Sequence, residues 1–199
     1  MVLKMENKDI MTKARASLSG RWGMAIGAAL LYGLLIAGIQ IIPLLGAIVS
    51  LLIGGAMTLG YNTFTLAFAR GEDVKISTVF DGFNHFGTAL AAYLLMALFT
   101  ILWMLLLIIP GIIAMYSYSM TFYILAEDKS LSALEAIGKS KQIMAGNKWK
   151  LLCLSFRFFG WILLSIITLG IGFIWVAPYM SISFATFYDD IKNNQFITN

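Results

Sequence analysis

Three long stretches of this chain carry almost no charge. Residues 22–69 and 82–126 contain no Asp, Glu, Lys or Arg, and residues 151–188 contain only Arg157. A soluble fold of this length needs polar faces along its elements, and these blocks have none to offer. The whole chain is 60% hydrophobic and 12% charged, whereas an average soluble domain carries about 25% charged residues. Lipid is therefore the expected solvent for most of it. Lipid requires backbone polar groups to be satisfied within the protein, so the expected fold class is all-α, a polytopic transmembrane helical bundle.

Block length sets the number of crossings. As single helices, the second and third blocks would run about 60 Å and the first about 70 Å, at ~1.5 Å per residue. The hydrocarbon core is only about 30 Å thick. Two passes fit each block, which gives three helical hairpins and six spans. Turn residues lie near the block centres: Pro43 with Gly46, Pro110-Gly111, and Gly170-Ile171-Gly172. The spans are expected near 23–42, 45–69, 87–109, 111–126, 151–169 and 172–188. The fourth and sixth are short and call for local thinning or burial among neighbours.

The 14 Lys and Arg residues orient the chain. All fall in segments on one side of the hairpin scheme, and the three bends carry none. The positive-inside rule places that side, with both termini, in the cytoplasm. The organisation is then a single integral membrane domain. Residues 1–22 form a cytoplasmic amphipathic segment, 23–188 the bundle, and 189–199 a cytoplasmic tail. The 22-residue polar lead is long for a signal-peptide n-region and has no small-x-small cleavage site, so the first span is expected to stay uncleaved.

Three polar segments read as surface helices. In Lys8 to Ser19, Ile10, Ala14 and Leu18 recur every fourth residue among Lys8, Lys13 and Arg15, with Gly20 as a stop; such a helix suits anionic headgroups. Ser132 and Glu135 have capping-box spacing. They open a helix with Leu134, Ile137 and Met144, ended by Gly146-Asn147. Ser77 to Phe83 is a shorter version with Val79, Phe80 and Phe83 apolar.

Gly54, Gly111 and Gly172 each precede a tyrosine by seven residues: Tyr61, Tyr118 and Tyr179. A stretch rich in Ser and Thr follows each one, with Asn62 added in the first. A repeat of three units would bring Tyr61, Asn62, Thr65, Tyr118, Ser119, Thr121, Tyr179, Ser181 and Ser183 together as a polar centre, about 10 Å deeper than the glycines. Ordinary interhelical hydrogen bonding is the plainer reading of these hydroxyls. Arg157 either snorkels to the cytoplasmic headgroups or faces the bundle interior as an anion contact. Gly23 with Gly27, and Ala29 with Gly33 and Ala37, form small-residue ridges. These suit intramolecular helix packing or a dimer face.

No catalytic, cofactor-binding or metal-binding constellation is visible. His85 is the single histidine and Cys153 the single cysteine, so a metal site lacks ligands and no intrachain disulfide can form. All ten carboxylates lie outside the expected spans, so no acidic proton relay crosses the membrane. Basic residues on the lipid-facing flanks explain the net charge of +4 without a nucleic-acid partner.

Several stretches form a familiar pattern. They are Leu105 to Ala114 with Tyr116-Ser117-Tyr118, Glu135-Ala136-Ile137 with Ser140 and Met144-x-Gly146-Asn147-Lys148, Gly160-Trp161, Gly170-Ile171-Gly172, Pro178-Tyr179 and Phe187-Tyr188. Together they resemble an uncharacterised family of integral membrane proteins from Gram-positive bacteria, known as a domain of unknown function. The resemblance is strongest from Phe80 to Tyr188. It implies a bacterial plasma membrane and brings no activity or site residues. The expected role is non-enzymatic, assisting transport or envelope integrity. The alternative is a structural or immunity-type protein docking another membrane protein or a second copy of itself.

Overall fold

The computed structural model describes residues 5–41 and 43–195, the side chains of residues 43–45 and 195 excepted. No strand occurs among them. The helices are α1 (Asn7–Leu18), α2 (Trp22–Ile39), α3 (Pro43–Ala69), α4 (Phe86–Leu106), α5 (Ile108–Tyr118), α6 (Thr121–Glu127), α7 (Ala133–Ile143), α8 (Lys148–Ile167) and α9 (Phe173–Gln195). A 3₁₀ segment, Ile76–His85, leads into α4. Residues 1–4 and 196–199, the ends of the two expected cytoplasmic segments, lie outside the described residues.

Five helical stretches are long and apolar enough to cross a membrane: Trp22–Ile39, Gly46–Ala69, Ile76–Leu106, Ile108–Glu127 and Lys148–Ile167. The expected sixth span, 172–188, is not among them. Its residues form most of α9, but Asp189, Asp190 and Lys192 continue the same helix and lower its hydropathy. The expected span 111–126 is divided between α5 and α6. Their junction at Ser119-Met120 is held by the buried Ser140 of α7. Its hydroxyl accepts from the Met120 amide (3.2 Å) and donates to the Ser117 carbonyl (2.7 Å).

The second bend is displaced from its proline. Pro110 lies inside the first turn of α5, and the chain reverses at the extended Leu107 (φ −162°, ψ 144°). Proline fits there because first-turn amides lack helical acceptors anyway. Across each bend, two helices run side by side in opposite directions. Gly46 packs on the Ile39 carbonyl, Gly111 on Met104 and Gly172 on Ser165. Each glycine meets a residue seven positions earlier, so the repeated element is Gly46, Gly111 and Gly172. In the first unit Gly54 instead packs on the Tyr93 ring.

Burial is concentrated away from these bends. Phe64, Phe68, Leu125, Met144, Leu154, Phe158 and Phe187 are among the fully or nearly fully buried side chains. By contrast, the nine residues Ile101 to Ile109 are all exposed, Leu105 at 78%, and Leu169 at the third bend is 95% exposed. Contiguous apolar surface on this scale marks contact with lipid or another protein.

The polar segments dock onto the bundle. Ile10, Ala14 and Leu18 of α1 have no exposed surface; the stripe expected to meet a leaflet is covered by the protein's own helices, chiefly α9. Lys8, Lys13 and Arg15 stay exposed. Gly20 follows α1 with φ +76°, and Gly146 follows α7 with φ +75°. The Ser132–Glu135 capping box is formed in both directions. Its hydroxyl bond, then its backbone bond, hold the Glu135 carboxyl below its ordinary pKa. Ser77 to Phe83 forms no separate amphipathic α-helix. Its 3₁₀ geometry aligns residues three apart, so Val79 and Gly82 are both buried, against Gly60 of α3.

Candidate functional site

The end of the bundle remote from the bends carries a cluster of charges. Arg70 follows α3, Glu127 ends α6, and Asp189 and Lys192 lie in α9. The Arg70 guanidinium donates from Nε and Nη2 to the Asp189 carboxylate (3.2 and 2.6 Å) and from Nη2 to Glu127 (2.7 Å). Lys192 pairs with Glu127 at 2.5 Å, and the Tyr188 hydroxyl donates to the same carboxylate at 2.8 Å. Two cations and two anions balance. Hydrogen bonding to Asp189 leads the effects that raise the Arg70 pKa above its ordinary value, so this cation stays charged. Exposed pairs individually contribute about 0–1 kcal/mol; the fork geometry makes this cluster a positioning device for three helix ends.

A second pair is drier. Lys150 Nζ donates to Asp190 at 2.6 Å, with side chains 15% and 3% exposed. The Met5 amide donates to the other Asp190 oxygen at 3.0 Å. Asn7 donates to the Lys150 carbonyl at 3.0 Å. Through Asp190 the start of the chain is tied to its end.

Beneath the charges, part of the expected polar centre is assembled. The Tyr61 hydroxyl donates to Ser181 Oγ at 3.2 Å, and the Tyr123 hydroxyl to the Ser181 carbonyl at 3.4 Å. Tyr123 also lies beside Thr65. Tyr61 stacks on Tyr32 with centroids 4.7 Å apart, and Tyr123 stacks on Tyr188 at 5.6 Å. Tyrosines thus descend from the Glu127 cluster to α2, and Tyr61 is the one among them that the sequence assigned to a polar centre.

The other expected members lie elsewhere. Tyr118 packs on Phe99 and beneath Lys141, in a separate apolar cluster with Ala114 and Ile137. The Tyr179 hydroxyl donates to the Met11 carbonyl of α1 at 3.2 Å. Among the described residues no hydrogen bond or ring contact joins Tyr118, Tyr61 and Tyr179. Their common spacing from a glycine does not make them equivalent, because the first unit turns at Gly46 and α3 is longer by about two turns. Asn62 donates to the Thr58 carbonyl, Thr65 to Asn62, Ser119 to Tyr116, Thr121 to Tyr118 and Ser183 to Tyr179. These are bonds within one helix or its adjoining turn. Of the small-residue ridges, Gly27 meets Ile76, whereas Gly23 and Gly33 face open space.

Arg157 is exposed, at the margin of the α8 face that buries Leu154 and Phe158. Its guanidinium makes no ion pair or hydrogen bond among the described residues. A flexible cation that reaches headgroups needs no bidentate geometry. Arg157→Lys is therefore expected to change stability by less than about 0.5 kcal/mol, measured by thermal unfolding in lipid nanodiscs. A loss several times larger would assign the guanidinium a specific planar partner.

The charge cluster had a visible signal. Arg70, Glu127 and Asp189 are each the first charge after an apolar block. Among the described residues no three His, Cys, Asp or Glu side chains gather so that they could hold a metal ion.

These features define an all-helical protein with several helices compatible with a membrane, its helix ends gathered by ion pairs. The family model described as "Protein of unknown function (DUF975)" matches residues 1–117 and 103–195, and the chain belongs to that family. Neither the curated proteins nor the solved structures contain a match.

Proposed function

We propose that the chain crosses a bacterial plasma membrane six times, as three helical hairpins with both termini in the cytoplasm, and serves a non-enzymatic role in transport or envelope integrity. The carrying observation is the contact between Met5 and Asp190. Residues before the first span and after the last can touch only if the chain has crossed an even number of times. Five stretches meet the criteria for a crossing, and in this reading α9, 23 residues long, is the sixth. Its charge-free part, 173–188, reaches about 24 Å, short of a ~30 Å core and within what thinning accommodates. The Arg70–Glu127–Asp189 cluster supports the same topology, because it joins the chain after two, four and six crossings. Lys and Arg flank this side, as cytoplasmic segments do.

In this reading the spans are held together at the cytoplasmic face and present apolar surface to lipid near the bends. That shape suits accommodating or supporting amphiphilic molecules, and the lipid bilayer with its anionic headgroups is the principal partner. A strain lacking the gene is expected to lose survival at least several-fold under a membrane-active amphiphile and to regain it with the wild-type gene. Unchanged survival together with unchanged dye permeability would contradict this role.

A second reading has one observation in its favour. Gly33 and Ala37 of α2 are exposed, and an added Cβ at Gly33 would meet nothing within 4 Å. This open ridge suits close packing by a helix of another membrane protein or a second copy. Disulfide crosslinking through Gly33→Cys in membranes separates the readings: a specific crosslinked product favours docking.

A further inference from the structure

A groove of about 320 Å³ lies between α4, α5, α7 and the start of α8, lined by Trp103, Pro110, Ile113, Tyr118, Lys141 and Lys148. Its two ends differ. At one, Lys141 Nζ stands 5.6 Å from the centre of the Tyr118 ring, with Lys148 and Ser117 also on the wall. Neither lysine forms an ion pair among the described residues, although Lys139, Lys150 and Lys192 each do. No carboxylate lines the groove. At the other end, Trp103 and Pro110 lead into the exposed apolar run Ile101 to Ile109. Tyr118 and Pro110 are separated by about 12 Å of helix rise.

We infer that this groove holds one anionic phospholipid, with its phosphate between Lys141 and Lys148 and one acyl chain along Ile113, Pro110 and Trp103. Charge complementarity selects the occupant. Two uncompensated cations above an apolar slot match a molecule with a negative head and a hydrocarbon tail. A zwitterionic lipid would bring its own cation close to both lysines. A free phosphate would leave the slot unfilled. A protein partner would need an acidic group at the head and an apolar segment small enough for a groove of about 320 Å³. The lysines belong to different elements, α7 and α8, so the bound lipid bridges α7 to the bundle.

This inference rests on the membrane reading proposed above. The test uses the full chain, purified in neutral detergent and presented with equal phosphatidylglycerol and phosphatidylcholine of identical acyl chains. Retained lipid is counted by native mass spectrometry. The wild type is expected to retain phosphatidylglycerol at least five-fold over phosphatidylcholine. Lys141→Gln with Lys148→Gln should bring that ratio close to one, while Lys129→Gln, on an exposed loop, leaves it unchanged. Trp103→Ala should lower retention of both lipids. An undiminished ratio in the double lysine variant would overturn the site. So would displacement of phosphatidylglycerol by millimolar inorganic phosphate, which would indicate an anion site without a lipid. Failure of the membrane reading is separately recognisable: the chain would then stay soluble without detergent.

Discussion

Asp190→Ala is expected to destabilise the protein by about 3–5 kcal/mol, the usual cost of removing one partner from a buried ion pair. Lys150 would keep its charge with 15% of its side chain exposed. The Met5 amide and the Asn194 side chain would lose their shared acceptor. The damage should be greatest at α1, because the segment before it is tied to α9 through Asp190. Amide exchange across Asn7–Leu18 should therefore rise more than exchange in α3. Thermal unfolding in nanodiscs measures the global loss, and hydrogen exchange locates it. Lys150→Met combined with Asp190→Leu should recover much of the stability, because it removes both charges and keeps the volume. An Asp190→Ala protein as stable as wild type would show that the pair contributes nothing.

Gly82→Ala should cost about 1–3 kcal/mol or more, despite adding a single methyl group. A Cβ at Gly82 would overlap the Ala56 carbonyl oxygen and the Gly60 nitrogen, and one at Gly60 would overlap the Val79 carbonyl. Both obstacles are backbone, which no rotamer change can relieve. The 3₁₀ segment would have to lift from α3, exposing Val79 and altering the entry into α4. Gly60→Ala should cost a similar amount, and the double variant less than the sum, since both disrupt one contact. Gly138→Ala is the control. It lies within α7 with nothing within 4 Å of an added Cβ, so alanine should stabilise by up to about 1 kcal/mol through helix propensity. Equal effects at Gly82 and Gly138 would refute the close approach.

Much of the helical architecture was legible because lipid leaves a chain few options. The charge-free blocks locate the apolar helices, and the Ser132–Glu135 pair gives α7 its start. The misjudged parts are those where tertiary contact overrides local pattern. Ile10, Ala14 and Leu18 make an amphipathic stripe, but periodicity does not say whether lipid or protein covers it. Pro110 marks the bend only to within a turn, since proline fits the first turn of the following helix. The tyrosine spacing misled because a Gly-x₆-Tyr match at Gly54 lies two turns beyond Gly46, the glycine at the bend. The Tyr61–Ser181–Tyr123 contact required knowing which helices are neighbours. Arg70, Glu127 and Asp189 were visible as the charges closing each block, and only the fold shows them meeting.

The six-span topology is tested most directly by thiol accessibility in intact cells, in a Cys153→Ala background. Ile41→Cys, Leu107→Cys and Leu169→Cys lie at the three bends, where the native side chains are 80%, 65% and 95% exposed. Each should react with a membrane-impermeant maleimide added outside. Glu6→Cys, Asp73→Cys, Lys129→Cys and Asn193→Cys should react only after the cells are opened. Outside labelling of exactly one of the two terminal positions would mean an odd number of crossings and would contradict the account.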